Sequence, residues 1–277
     1  MKTIKKLKVL KPGLISPHKN FQYKIGKKYI CTDFDPDPLK DCSNGFYATD
    51  IEGLPYSWNI NRECYEVEVS GRSVLYNIYK QRFEEQIIIR KVEKDEIILL
   101  AKRKEKKLGY VLSEVLFPIN PLIIAVPEIT DIDKELIKRW ASVGVSVRDS
   151  VWDSVWDSVW DSVGVSVGAF VWASVWDSVG VSVRDSVWDS VGASVWDSVW
   201  ASVWDSVGAS VWDSVGAYIS SLFPNIIKWK YIDHKEKDNP FQSGIDLWKK
   251  GLVPSFDGSI WRLHGGKDAK ILYKFKL

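Results

Sequence analysis

"SVWDSVWDSVWDS", residues 150–162, repeats a four-residue unit, and that unit runs without insertion from Ser142 to Ala217, nineteen tetrads in all. Position one is Ser in every tetrad but the one that begins at Phe170, and position two is always Val. Position three is Trp ten times, Gly seven and Arg twice; position four is Asp ten times, Ala six and Val three. Each of these exchanges is a single-base step within a twelve-base unit, as expected of an array grown by tandem copying. The first two positions are almost untouched while the last two vary. This pattern assigns structural work to Ser and Val and turns position three toward solvent or a partner. Repeated copying of a few variant units is the competing account.

A period of four sits awkwardly on both regular conformations. In an α-helix four residues turn about 400°, so every stripe drifts about 40° per tetrad and no single face stays buried along the array. Ser, Val, Trp and Asp are mediocre helix formers and Gly is worse; at roughly 0.5 kcal/mol per residue the handicap relative to Ala is on the order of 40 kcal/mol. A flat strand puts positions one and three on one face, although one is constant and the other free. A bent unit with Val inward, Ser near the bend and position three outward suits the pattern better. Stacked into coils it makes a β-solenoid, similar in architecture to the pentapeptide-repeat solenoids but with a different period. Packed short α-helices are the alternative, and disorder or fibre formation a third reading.

Under the solenoid reading Trp152, Trp156, Trp160, Trp172, Trp176, Trp188, Trp196, Trp200, Trp204 and Trp212 form a candidate contact face, since exposed aromatics mark binding surfaces. Stacking of these rings on one another for stability alone is the competing use. The array carries ten Asp against two Arg, a net of −8, between flanks of +5 each, and the whole chain stands at +2. An acidic aromatic face suits protein, carbohydrate or self-association and argues against the phosphate backbone of nucleic acid.

The 277 residues make room for one or two domains. Residues 1–120 read as a strand-rich α+β domain, with alternation in "FQYKIGKKYI" (21–30) and "RECYEVEVSG" (62–71) and apolar runs in "EEQIIIRKVE" (84–93) and "DEIILLAKRK" (95–104). "KRKEKK" (102–107) reads as a solvated hairpin tip. Residues 121–141 are a linker and a helix, with Thr130 and Asp133 spaced as a capping box. Residues 142–217 are the repeats. Residues 218–277 are a small α/β cap, with a short helix in "NPFQSGIDLWKKGL" and a hairpin or small sheet beyond it.

Cys31, Cys42 and Cys64 are odd in number and lack metal-ligand spacing, so a reducing compartment is expected rather than a disulfide framework. There is no signal-peptide core and no apolar run of spanning length, which makes the cytoplasm the default. His18, His234 and His264 are scattered; His264 reads as a turn residue, and no metal or cofactor site is assigned.

The order "FQYKIGKKYI", "NGFYATD", "RECYEVEVSG" resembles an uncharacterised domain common in phage and bacterial sequences, over about residues 8–120. Proteins of that kind sometimes carry Ser-Val tetrads behind the domain, and the family implies no established activity. The same order distantly resembles ADP-ribosyltransferases. That likeness implies a middle element at Gly45–Asp50, a first element at Leu10–Leu14 and a late acid among Glu84, Glu85 and Glu114. The NAD-gripping Arg or His that such enzymes place on the first element is missing here. The sequence therefore reads as a non-enzymatic repeat scaffold, phage or mobile-element encoded, with a transferase-like N-terminal domain as the alternative.

Overall fold

The computed structural model describes residues 3–58, 61–77, 79–126, 128–147, 150–192 and 200–276. The chain forms two compact units, 1–108 and 109–277. The repeats and the C-terminal segment therefore share one unit.

The first unit is an antiparallel sheet with one long helix. Strand β4 (Glu63–Asn77) and strand β5 (Lys80–Val92) form its central hairpin. Strand β1 (Ile4–Leu10) pairs with β4 from Ile4↔Val69 to Leu10↔Glu63. Strands β2 (Lys28–Ile30) and β3 (Phe46–Ala48) both pair with β5. The alternation in 62–71 sends Tyr65, Val67 and Val69 into a core with Leu10, Tyr23, Phe83 and Ile88. The run 95–104, read as a strand, is instead part of helix α1 (Lys94–Leu108), and the basic run 102–107 lies on that helix and not at a hairpin tip. Asp95 and Glu96 in the first turn and Lys106 and Lys107 in the last complement the helix dipole. Ile97 and Ala101, four apart, supply its buried stripe.

In the second unit the tetrads are helical over most of their described residues. They build helix α4 (Val151–Val163), helix α5 (Val165–Val175), helix α6 (Val181–Gly192) and most of helix α7 (Trp200–Ser220). The β-solenoid expectation is overturned: among the described residues both sheets are antiparallel and neither is built from tetrads. Two physical facts decide it. First, Ser-Val-Trp-Asp is itself a helix-start signal, Ser-x-x-Asp. Ser150 caps α4, its Oγ accepting from the Asp153 N–H at 3.0 Å and lying 2.6 Å from the Asp153 carboxylate. Second, the drift of the Val stripe is managed by length. From Val151 to Val159, two tetrad steps, it amounts to about 80°, within the width of an ordinary buried stripe, and Val151, Val155 and Val159 are all buried. Gly164, at φ 85°, then ends α4. Between α5 and α6 the five residues Trp176–Gly180 form a π-turn, whose i→i+5 bonding advances the chain less per residue and so rewinds the stripe. Helix α7 is longer, but it packs against α4, α6, helix α8 (Gln242–Lys249) and strand β6 (Leu252–Phe256), so several neighbours share its turning stripe.

Strands β6, β7 (Ile260–Gly265) and β8 (Lys270–Lys276) form the small sheet in that order. Two helices stand ahead of α4, the short α2 (Leu112–Leu116) and the longer α3 (Asp131–Ser146), which the Thr130–Asp133 capping box opens and whose last residues include the first tetrad. Among the described residues no helix is long and apolar enough to cross a membrane.

Candidate functional site

The side chains of the tetrad sort by position. Position two is the core: Val171, Val175, Val183, Val187, Val211 and Val215 are buried like the Val of α4. Position one bonds backbone. Along α4 and α7 the Ser hydroxyl donates to a carbonyl three or four residues back, as from Ser158 to Ser154 at 2.6 Å and from Ser214 to Ser210 at 2.9 Å. The same hydroxyls reach other segments. Ser210 Oγ accepts from the Phe256 N–H at 2.9 Å and Ser214 Oγ donates to the Pro254 carbonyl at 3.4 Å, so α7 satisfies an edge of β6 that β7 does not pair. Ser154 donates to the Lys230 carbonyl, and Ser158 Oγ accepts from the Lys230 N–H at 2.9 Å.

Position three is not the outward face that the sequence implied. Its Trp rings make a chain: Trp160 lies against Trp156 at 5.8 Å, Trp156 edge-on to Trp172 at 5.2 Å, Trp172 on Trp152, Trp152 edge-on to Trp212 at 4.2 Å, and Trp212 stacks on Trp176. Trp172 is buried, Trp152, Trp156, Trp176, Trp188 and Trp212 are half-buried, and Trp160 is 41% exposed. Trp196 lies outside the described residues, as do the side chains of Trp200 and Trp204. Gly at the same position makes room for these rings. A Cβ at Gly180 would overlap the Trp176 ring, and one at Gly208 would sit 3.2 Å from the Trp188 ring. Arg184, a position-three Arg, lays its guanidinium over Trp188 at 4.4 Å and Trp176 at 5.6 Å.

Position four anchors the array. Asp157 accepts from Tyr231 Oη at 2.6 Å and Asp161 pairs with Lys230 at 2.7 Å. Asp213 Oδ1 accepts from the Trp152 N–H at 3.2 Å, at the start of α4. Burial raises the Asp213 carboxyl to about 6, against the pull of the Trp152 and Val151 N–H groups. The acidic array thus meets part of its basic flank directly, at Asp161 and Lys230.

The transferase-like elements take structural roles. Gly45, at φ 144°, lies against the fully buried Arg82, and a Cβ there would fall 2.5 Å from Arg82 Cγ. The Arg82 guanidinium donates to the Lys40 carbonyl and Tyr47 Oη at 3.0 Å each and to the Asp37 carbonyl at 2.6 Å, fixing the loop before β3. Leu10–Leu14 closes a turn in which the Lys11 N–H donates to the Ile15 carbonyl at 2.8 Å. Glu84 is held by Arg72 at 2.7 Å, Glu85 by Lys28 at 2.9 Å and Ser70 at 2.5 Å, and Glu114 belongs to the other unit, on α2. Sequence reasoning missed Arg82 and also Lys8. Lys8 Nζ is buried, donates to the Tyr47 carbonyl at 2.7 Å and lies over the Tyr23 ring, and burial lowers it to about 7. Only the strand register could have flagged Lys8, as a Lys opposite the inward Tyr65.

His264 is not a turn residue. It lies on β7, fully buried, its ring bonded to Ser255 Oγ and to the Ala269 carbonyl at 2.8 Å each, and burial pushes it down to about 4. Ser255 is as buried as the imidazole, so this pair staples the sheet and reaches no substrate. All three Cys are free thiols, and burial pushes the Cys64 thiol up to about 12. No family model, no curated protein and no solved structure matches this chain.

Proposed function

We propose that this chain is a non-enzymatic scaffold of the kind carried by phage or mobile elements, and that its repeat-built unit engages a partner through Trp156 and Trp160. We also take the first unit to belong with the phage and bacterial domains it resembles. The carrying observation is Trp160. Among the tetrad Trp whose side chains are described, it is the one that is exposed, at 41%, at the outer end of a ring chain whose other members are at least half-buried. An indole held by Trp156 behind it is ordered before any partner arrives, so little rotamer freedom is lost on contact. Asp157 and Asp161 flank it in sequence; Tyr231 and Lys230 each engage one of their oxygens, and the second oxygen of each carboxylate adds an acceptor to the same stretch of α4. Apolar ring and carboxylates together suit a polyhydroxyl or cationic partner and repel phosphate.

The test is a fluorescence titration of the full chain with a soluble polysaccharide and, separately, with a Lys- and Arg-rich peptide. Saturable binding of either probe is expected, lost in Trp160→Ala at an unchanged melting temperature and kept in Trp188→Ala. Absence of binding to both probes, or binding indifferent to Trp160, overturns the reading.

A further inference from the structure

Helix α3 has two faces, and the fold uses one. On the used face Ile137, Trp140 and Ala141 are buried, Trp140 fits against Gly244 of α8, and Asp133 pairs with Lys250 at 2.6 Å. On the other face Ile132 is 66% exposed, Leu136 and Val143 are half-buried and Arg139 is exposed. A groove of about 320 Å³ runs along this face, lined by Asp131, Ile132, Glu135, Leu136 and Arg139. The spacing 132, 136, 139, 143 alternates four and three, the seam spacing of helices that pair along their length. Arg139 stands in the middle of the seam and among the described residues pairs with no carboxylate. Among the described residues the Glu135 carboxylate is held only by a solvent-exposed Lys138 three residues on, at 3.0 Å, a bond that exchanges readily with water.

The geometry points to a second copy of this chain as the occupant of that face, with the two α3 helices antiparallel across a two-fold axis. The charges select this arrangement. A parallel pair sets Arg139 on Arg139. An antiparallel pair centred near Ile137 brings Glu135 of each copy opposite Arg139 of the other and places Ile132 within a residue of Val143. Both contacts then form twice, as a self-complementary interface requires. Four seam residues make a contact at the small end of specific interfaces, so the dimer is weak, about micromolar or weaker. This interface is separate from the Trp160 surface and does not depend on it.

Sedimentation equilibrium of the full chain over a broad concentration series tests it, with far-UV circular dichroism to confirm folding. The wild type is expected to show a reversible monomer–dimer equilibrium. Ile132→Glu, Glu135→Arg and Arg139→Glu should each raise the dissociation constant about tenfold or more. The double variant Glu135→Arg/Arg139→Glu should return it to within about threefold of wild type, because the reciprocal pairs are restored with their signs exchanged. Trp160→Ala should leave it unchanged. A wild type monomeric throughout, a dimer indifferent to the three single variants, or a double variant no better than the singles overturns the proposal.

Discussion

Replacing Ser210 by Ala separates two roles that the repeat's serine fills at once. Its hydroxyl donates within α7 to the Val207 carbonyl at 2.9 Å and accepts from the Phe256 N–H of β6, also at 2.9 Å. Losing the first bond frees a helix carbonyl that its own i→i+4 partner still satisfies. Losing the second strands a backbone N–H in a half-buried place, at about 1–3 kcal/mol. The better helix propensity of Ala returns about 0.5 kcal/mol. The net cost is about 0.5–2.5 kcal/mol, or roughly 2–8 °C in melting temperature at about 3 °C per kcal/mol for a unit of this size. Ser186 on α6 is the internal control: it is half-buried, and among the described residues its hydroxyl makes no hydrogen bond. Ser186→Ala should therefore stabilise by about 0.5 kcal/mol. Urea unfolding followed by tryptophan fluorescence reads this unit almost alone, since fourteen of the fifteen Trp lie in it and only Trp58 lies outside. If Ser210→Ala is as stable as wild type, or Ser186→Ala loses as much as Ser210→Ala, the claim that serine ties the array to the sheet is wrong.

Gly144 and Gly180 occupy the same repeat position with opposite expected outcomes. Gly144→Ala, with open space around its Cβ, should gain about 0.5–1 kcal/mol, whereas Gly180→Ala should lose stability because its Cβ overlaps the Trp176 ring, itself stacked on Trp212; thermal unfolding compares them. The raised Asp213 carboxyl means that the folded state holds a proton the unfolded state releases, so wild type should lose stability relative to Asp213→Asn as pH rises from about 4 to about 6, checked by urea midpoints across that window. Lys8 works in the opposite sense. Its lowered value means that the unfolded chain holds the proton longer, so wild type should gain stability relative to Lys8→Met as pH rises from about 7 to about 10.5, read by hydrogen exchange in β1 and β4.

The tetrad's internal division of labour was legible from residues alone. Constant Val in the core and constant Ser on backbone groups follow from what each side chain can do when buried. The Thr130–Asp133 cap, the alternating strand at 62–71 and the C-terminal helix and sheet were readable for the same reason: each rests on local spacing. The helical state of the repeats was partly legible too, in the Ser-x-x-Asp signature that recurs ten times, but intrinsic propensity pointed the other way. Propensity is measured on exposed positions, and here tertiary burial of Val and Trp outweighs it. The drift of a four-residue period on a 3.6-residue helix looked fatal for one long helix; the Gly164 turn, the π-turn at 176–180 and the central place of α7 remove the difficulty, and none of these is written in a single tetrad. The run 95–104 misled in the same way, since the five apolar residues 97–101 fit a strand or a helix until the neighbouring elements choose.

What the sequence by itself determined is therefore the chemistry of each repeat position: an apolar methyl pair that must leave water, a hydroxyl that bonds backbone, and a third side chain that is a large ring, a guanidinium or nothing. What only the tertiary structure decided is where those rings go. Whether a Trp meets another Trp, a glycine or water depends on which helices become neighbours, as with Trp188 over Gly208 and Trp160 between Trp156 and water. That pairing is set by packing between segments far apart in the chain, which identical local sequence cannot encode.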